Sequence, residues 1–215
     1  MLLTVATAAS EKNLLSLERI KRELGIEATT HDALLEDLIA EASDAIATEC
    51  NLAPDQLGRR GFAAEELAVT FDAEEARTDS GEPLVLPWRI PVTAIAVEED
   101  GTDLVAADWQ LEPMSGLLYR MRGGCRSAWC GLDLAIEMTA GWDLAGDDVP
   151  KGLAKACLIL VKGAWFARRR DPLIKAEDIP GVLATQWWVG STGETPGQLP
   201  AEVRTLLDPY RSRSI

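Results

Sequence analysis

Apolar residues recur at helical spacing near both ends of the chain and alternate with polar ones along its middle. In residues 16–25, SLERIKRELG, Leu17, Ile20 and Leu24 fall on one face. This predicts a short amphipathic helix with Ser16 as N-cap and Gly25 as C-terminal stop. Residues 29–51, TTHDALLEDLIAEASDAIATECN, carry Leu34, Leu35, Leu38, Ile39, Ala42, Ala45 and Ile46 at the same period. Thr29 or Thr30 caps this second helix, acids fill its first turn, Asn51 ends it and Pro54 prevents its continuation.

From Leu67 to about Thr139 the pattern becomes period two: LAVTF, PLVLPW, VTAIAVEEDG, DWQLEP, SGLLYRM and LDLAIEMT read as strands. Asp100-Gly101 is a hairpin signal and Ser115-Gly116 a turn, while Pro83, Pro87, Pro91 and Pro113 mark strand ends. A small antiparallel sheet or sandwich between helices is expected.

The strongest helical stretch follows in DDVPKGLAKACLILVKGAWFARRRD, with Pro150 at its first position. Its buried stripe is read as Leu153, Cys157, Leu160, Val161, Ala164 and Trp165. Ile159 and Phe166 lie off that stripe, which points to a second covering by a neighbouring subunit. From Ile174 onward glycines and prolines are scattered, yet Trp187, Trp188 and Val189 stand together before LPAEVRTLLDPYR. That last piece predicts a short helix with Pro200 at its first position and Leu199, Val203, Leu206 and Leu207 as apolar contacts; two turns are unstable alone, so it must dock.

The expected fold class is therefore α+β: a helical bundle core with an inserted antiparallel β-rich region and an extended C-terminal segment. The parts are residues 1–66 (N-terminal helices of the core), 67–140 (β-rich insertion), 141–175 (the long helix completing the core) and 176–215 (C-terminal docking segment).

Charge sharpens this division. The chain has 215 residues, 35 acidic against 21 basic, for a net charge of -14. Residues 1–150 carry 11 basic and 29 acidic side chains; residues 151–215 carry 10 and 6. Such acidity argues against a protein that grips nucleic acid by neutralising phosphates, and against adhesion to anionic membranes. No apolar run reaches the 18 or more residues that a membrane-spanning helix needs, and MLLTVATAA lacks the basic start of a signal peptide, so a cytosolic origin is expected.

The chemical toolkit is thin. His31 is the only histidine, in the first turn of the second helix, and a lone imidazole without a positioned partner reads as an exposed polar residue. Cys50, Cys125, Cys130 and Cys157 fit no CxxC redox or zinc spacing and are expected to be reduced. Gly123-Gly124 lacks the rest of a phosphate-binding loop and reads as a turn. Glu98, Glu99, Asp100 and Asp103 surround a hairpin without the ligand order of a calcium loop. No metal or cofactor is expected. Arg168, Arg169 and Arg170 either complement the helix end or meet DNA or an acidic partner. Adjacent Trp187 and Trp188 either fold back on their own core or anchor an interface.

The order of segments resembles the head-tail connector, or adaptor, proteins of long-tailed bacteriophages and phage-derived gene transfer agents. The residues that carry it are SLERIKRELGI with HDALLEDLIAEASDAIATECN, then LPWRIPVTAIAVEEDG, then MTAGWDLAGDDVPKGLAKACLILVKGAWFARR, and finally LPAEVRTLLDPYR. The β-rich middle is longer than in compact members of the family. The resemblance implies a structural virion protein at the head-tail junction, assembled in the bacterial cytoplasm. It implies a homo-oligomeric ring, dodecameric in the family, that binds the portal protein above and a tail-side neck or stopper protein below. DNA would pass through its lumen without specific binding.

On that reading the portal-binding residues are Trp187, Trp188, Val189, Leu199, Val203, Leu206, Leu207, Tyr210, Arg211 and Arg213. Ile159, Phe166, Arg168, Arg169 and Arg170 are candidates for the subunit interface or the channel. Two alternatives remain: a tail-proximal stopper, and a hydrolase using paired carboxylates, Glu137 with Asp143 or Asp108 with Glu112.

Overall fold

The computed structural model describes residues 1–87, 90–144, 149–168, 176–179, 183–186 and 198–211. Within it the chain forms two compact units, one of residues 1–13, 47–149 and 211–215, the other of residues 14–46 and 150–210. The elements mix helices with antiparallel sheets, the expected α+β class.

The first unit is built on two sheets. One has the order β1-β2-β9-β4-β5, from Leu2–Thr7, Glu65–Phe71, Leu134–Ala140, Val92–Glu99 and Thr102–Asp103. The other has the order β3-β7-β6, from Leu84–Val85, Leu117–Arg122 and Trp109–Glu112, with β8 (Cys125–Ser127) also paired to β7. The period-two pattern does the sorting, since Leu67, Val69 and Phe71 are buried on β2 and Leu134, Ile136, Met138 and Ala140 on β9. They share one core with Leu84, Leu86, Leu118 and Trp129. The Trp129 indole, fully buried, donates to the Leu118 carbonyl at 3.1 Å, so its one polar atom is satisfied.

The turns follow their chemistry. Asp100 and Gly101 both have positive φ, 50° and 74°, as do Gly123 and Gly124, 58° and 80°, and each pair closes a hairpin of right-handed twist. Gly141 has φ 122°, and a Cβ there would stand 2.3 Å from the Ala63 carbonyl oxygen. This tight crossing lets Trp142 exchange backbone hydrogen bonds with Phe62 and Ala64.

In the second unit, α1 spans Leu17–Leu24, with the Ser16 hydroxyl accepting from the Arg19 amide and Gly25 left-handed at φ 67°. Both ends fall where the capping residues put them. The next helix, α2, spans Asp32–Glu49, and Asn51 after it is left-handed at φ 55°. Then come α3 (Lys151–Ala167), the hairpin β10 (Ala176–Ile179) and β11 (Leu183–Gln186), and α4 (Ala201–Leu207), followed by a 3-10 turn. Pro150 and Pro200 are extended, with ψ 133° and 144°, so each sits at the N-cap, one residue earlier than the sequence predicts. On α3 the fully buried residues are Leu153, Ala154, Ala156, Cys157, Val161 and Trp165, while Leu160 and Ala164 are half-buried. Ser43 joins α2 to its surroundings. Its hydroxyl donates to the Ile39 carbonyl at 2.7 Å, accepts from the Leu14 amide at 3.0 Å and lies 3.8 Å from Cys157 Sγ.

Two strand systems were not expected. β1 falls in the part read as helical, and the hairpin β10–β11 falls in the part read as irregular. β1 buries only Val5, and its partner β2 lies some sixty residues away in sequence, so alternation within LLTVAT does not reveal it.

Candidate assembly surfaces

The C-terminal helix is anchored by its own chain. α4 packs on α3, with Val203 and Leu207 fully buried. Each such aliphatic burial contributes roughly 1.5–3 kcal/mol, which is what a helix of two turns needs to stay folded. The closeness of the packing depends on Gly152. A Cβ there would meet the Tyr210 ring at 3.2 Å, its hydroxyl at 3.3 Å and the Leu206 carbonyl at 3.4 Å. Burial pushes the Tyr210 phenol above its ordinary value.

These contacts divide the predicted portal-binding residues. Val203 and Leu207 are spent inside this chain, whereas Leu199, Leu206, Tyr210 and Arg211 are half-buried. Arg211 pairs with Glu49. Trp187, Trp188, Val189 and Arg213 lie outside the described residues, as do Arg169 and Arg170.

The end of α3 is aromatic and basic. The Arg168 guanidinium lies 4.9 Å from the Trp165 ring centroid, and the His31 ring meets the same indole edge-on at 5.2 Å. His31 is thus exposed, as expected, but held against an aromatic partner. Phe166 is 61% exposed and Ile159 half-buried. Closer to the middle of the helix, Lys162 reaches Glu23 of α1 at 2.8 Å, and that contact holds the Glu23 carboxyl below its usual range.

In the other unit the outward face of the larger sheet is made of small and acidic side chains. The outward positions are Glu66, Ala68 and Thr70 on β2, Ala135, Glu137 and Thr139 on β9, and Ala94, Ala96 and Glu98 on β4. The register sets Glu137 between Ala68 and Ala96, Glu66 opposite Thr139, and Glu98 opposite Ala135, so the three glutamates run diagonally across the face. Beside them lies an open groove of about 400 Å³, lined by Ala6, Glu66, Ala68, Ala94, Ala96 and Glu137 among others.

The paired carboxylates do not assemble. Asp108 and Glu112 flank opposite ends of β6, roughly 13 Å apart at strand rise. Asp108 faces Arg120 at 3.6 Å, and Glu112 accepts from the Ser115 hydroxyl at 3.0 Å. Glu137 sits mid-strand with alanines opposite, whereas Asp143 lies past the strand end and beyond the Gly141 crossing. Among the described residues no group of three or more His, Cys, Asp and Glu side chains could hold a metal ion, and no helix is long and apolar enough to cross a membrane.

Sequence reasoning passed over one buried ionic cluster. Lys12 Nζ bridges Asp55 at 3.0 Å and Glu65 at 2.8 Å, both carboxylates almost fully buried. Burial pushes the Asp55 carboxyl up. Hydrogen bonds from the Arg59 amide, the Lys12 ammonium and the Leu57 amide, with the Lys12 charge, outweigh that and hold it well below the usual carboxylate range. Lys12 stands among loop residues with no periodic pattern, so nothing local signals the cluster.

Residues 15–76, which contain α1, α2 and β2, match the family described as phage gp6-like head-tail connector protein. The resemblance drawn from the N-terminal helices is borne out there. No curated protein sequence matches the chain. Solved structures share its fold from end to end. A chain from the neck of an empty gene transfer agent (GTA) particle, computed with C6 symmetry, aligns with TM-score 0.54. One from the neck of the native GTA particle, computed with C12 symmetry, aligns at 0.53. A third, from the virion of the native particle, aligns at 0.51. Each is 19% identical, and each alignment covers 100% of this chain and 97% of that chain. The β-rich middle, long against compact connectors, therefore has a counterpart in those neck chains.

Proposed function

We propose that the chain is a structural head-tail connector of a phage-derived particle of the gene-transfer-agent kind. It resides in the neck of the virion, forms a ring beneath the portal, joins the DNA-filled head to the tail and continues the DNA channel. Its helical unit supplies the bundle core of that ring, and it performs no catalysis. One observation carries the reading: residues 15–76 fit the connector family while the whole chain shares the fold of a GTA neck chain. The acidic charge supports it, because a lumen that must pass DNA works by repelling phosphate rather than by holding it.

The partners are the portal above, a tail-side neck protein below, and further copies of the chain in a ring, with twelve as the family number. The C-terminal segment is the portal-docking element. Its basic balance lets it approach an acidic surface, and Trp187, Trp188 and Val189 supply apolar area. Val203 and Leu207 act indirectly by fixing α4, so truncation is a poor test, since it uncovers α3.

The test is to mix the purified protein with its cognate portal and image the product. A ring seated coaxially on the portal, lost on Trp187→Ala/Trp188→Ala without loss of helical signal, is expected. A protein that ignores the portal and binds only the tail end is a stopper instead, and overturns the assignment.

A further inference from the structure

We propose that the end of α3 on one copy, Phe166 with Arg168, seats in the groove of the β2-β9-β4 face on the next copy, beside Glu66 and Glu137. This rests on the connector reading and names the contact that would close its ring.

Charge and symmetry together narrow the contact that identical copies can make in a ring. Residues 1–150 hold 29 acids against 11 bases, and residues 151–215 hold 6 against 10. An isologous contact pairs residue i with j and j with i about a two-fold axis, so it is complete at two copies and builds no larger ring. A head-to-tail contact lets the basic part of each copy meet the acidic part of the next. That arrangement is also the one that closes into a ring.

The two surfaces suit each other in shape as well. Phe166 is the most exposed aromatic on α3 and lies off the stripe that the helix buries at home. The groove has short side chains, Ala6, Ala68, Ala94 and Ala96, where a large ring needs room, and its walls carry two carboxylates. The outward positions of β2, β9 and β4 place three glutamates and no lysine or arginine there. Glu137 has alanine on both sides in the register, so nothing across the ladder neutralises it. An arginine that stacks on its own Trp165 keeps its donors available for such a carboxylate. Duplex DNA is the wrong occupant of this face, since glutamates repel phosphate.

The experiment uses the full chain with Cys125 and Cys130 changed to Ser, carrying Ala167→Cys and Ala96→Cys, both native alanines being exposed. Phe166 and Arg168 stay intact. Under ring-forming conditions, with portal if needed, a short bis-maleimide is expected to give a ladder of cross-linked oligomers. Either cysteine alone should give none. In parallel, Glu137→Arg and Arg168→Glu should each abolish rings while the helical signal stays unchanged, and the two combined should restore them. Rings that form without cross-linking, or that survive both charge reversals, overturn this contact and leave the connector reading standing. A parent protein that forms no ring with or without portal overturns both.

Discussion

Arg120 Nε lies 3.0 Å from Glu99 Oε2, and both side chains are less than a tenth exposed. The pair ties β7 of the smaller sheet to β4 of the larger one. The guanidinium also donates to the carbonyls of Asp108 at 2.7 Å and Met121 at 2.9 Å, and lies 5.8 Å from the Trp129 ring. Removing one member strands a charge in the core. Arg120→Met is expected to cost about 3–5 kcal/mol, and Arg120→Met with Glu99→Met to recover most of it. Urea denaturation of the three variants checks this; equal losses in single and double variants would show that packing, not charge, dominates.

Gly141 and Gly163 should respond in opposite directions to the same change. At Gly141, with φ 122° and the Ala63 carbonyl in the way, Ala forces the start of β2 and the end of β9 apart and is expected to cost about 3 kcal/mol or more. At Gly163, inside α3, nothing lies within 4 Å of an added Cβ, so Ala is expected to stabilise by about 0.5–1 kcal/mol. Thermal melts of both variants give the comparison.

Acid should erase the contribution of Asp55. Its folded-state pKa is depressed, so its stabilising effect is complete above the unfolded-state value, near ~3.9, and disappears as pH falls toward the lower folded value. Asp55→Asn is expected to be clearly less stable than the parent at pH 7, and the gap should narrow below about pH 4. A gap that is constant between pH 7 and pH 3 would mean that hydrogen-bond geometry alone is responsible.

Thiol reactivity should split two and two. Cys125 and Cys130 are exposed, whereas Cys50 and Cys157 are buried and their thiols are pushed up to about 12 and 11 by that burial. A disulfide-exchange reagent at pH 8 is expected to titrate two thiols quickly and the other two only after denaturant is added.

How much of this was legible depended on how local each determinant is. Ser16, Gly25 and Asn51 bound their helices because capping is decided within a few residues, and Asp100-Gly101 formed its hairpin for the same reason. β1 was missed because its identity depends on distant β2, and the outward sheet face because three strands far apart in sequence compose it. Lys12, Asp55 and Glu65 meet only once the chain has folded. The apolar residues of α4 were legible as a docking face; that they dock on α3 depends on Gly152, whose meaning appears only beside Tyr210.

Because α4 returns to pack on the helix from which the chain departs, residues 168–200 are closed at both ends on one unit. A single peptide-bond break anywhere in that stretch leaves the C-terminal piece held through Val203 and Leu207. Changes of sequence between α3 and α4 that spare Gly152, Val203 and Leu207 should therefore leave that helix pair in place.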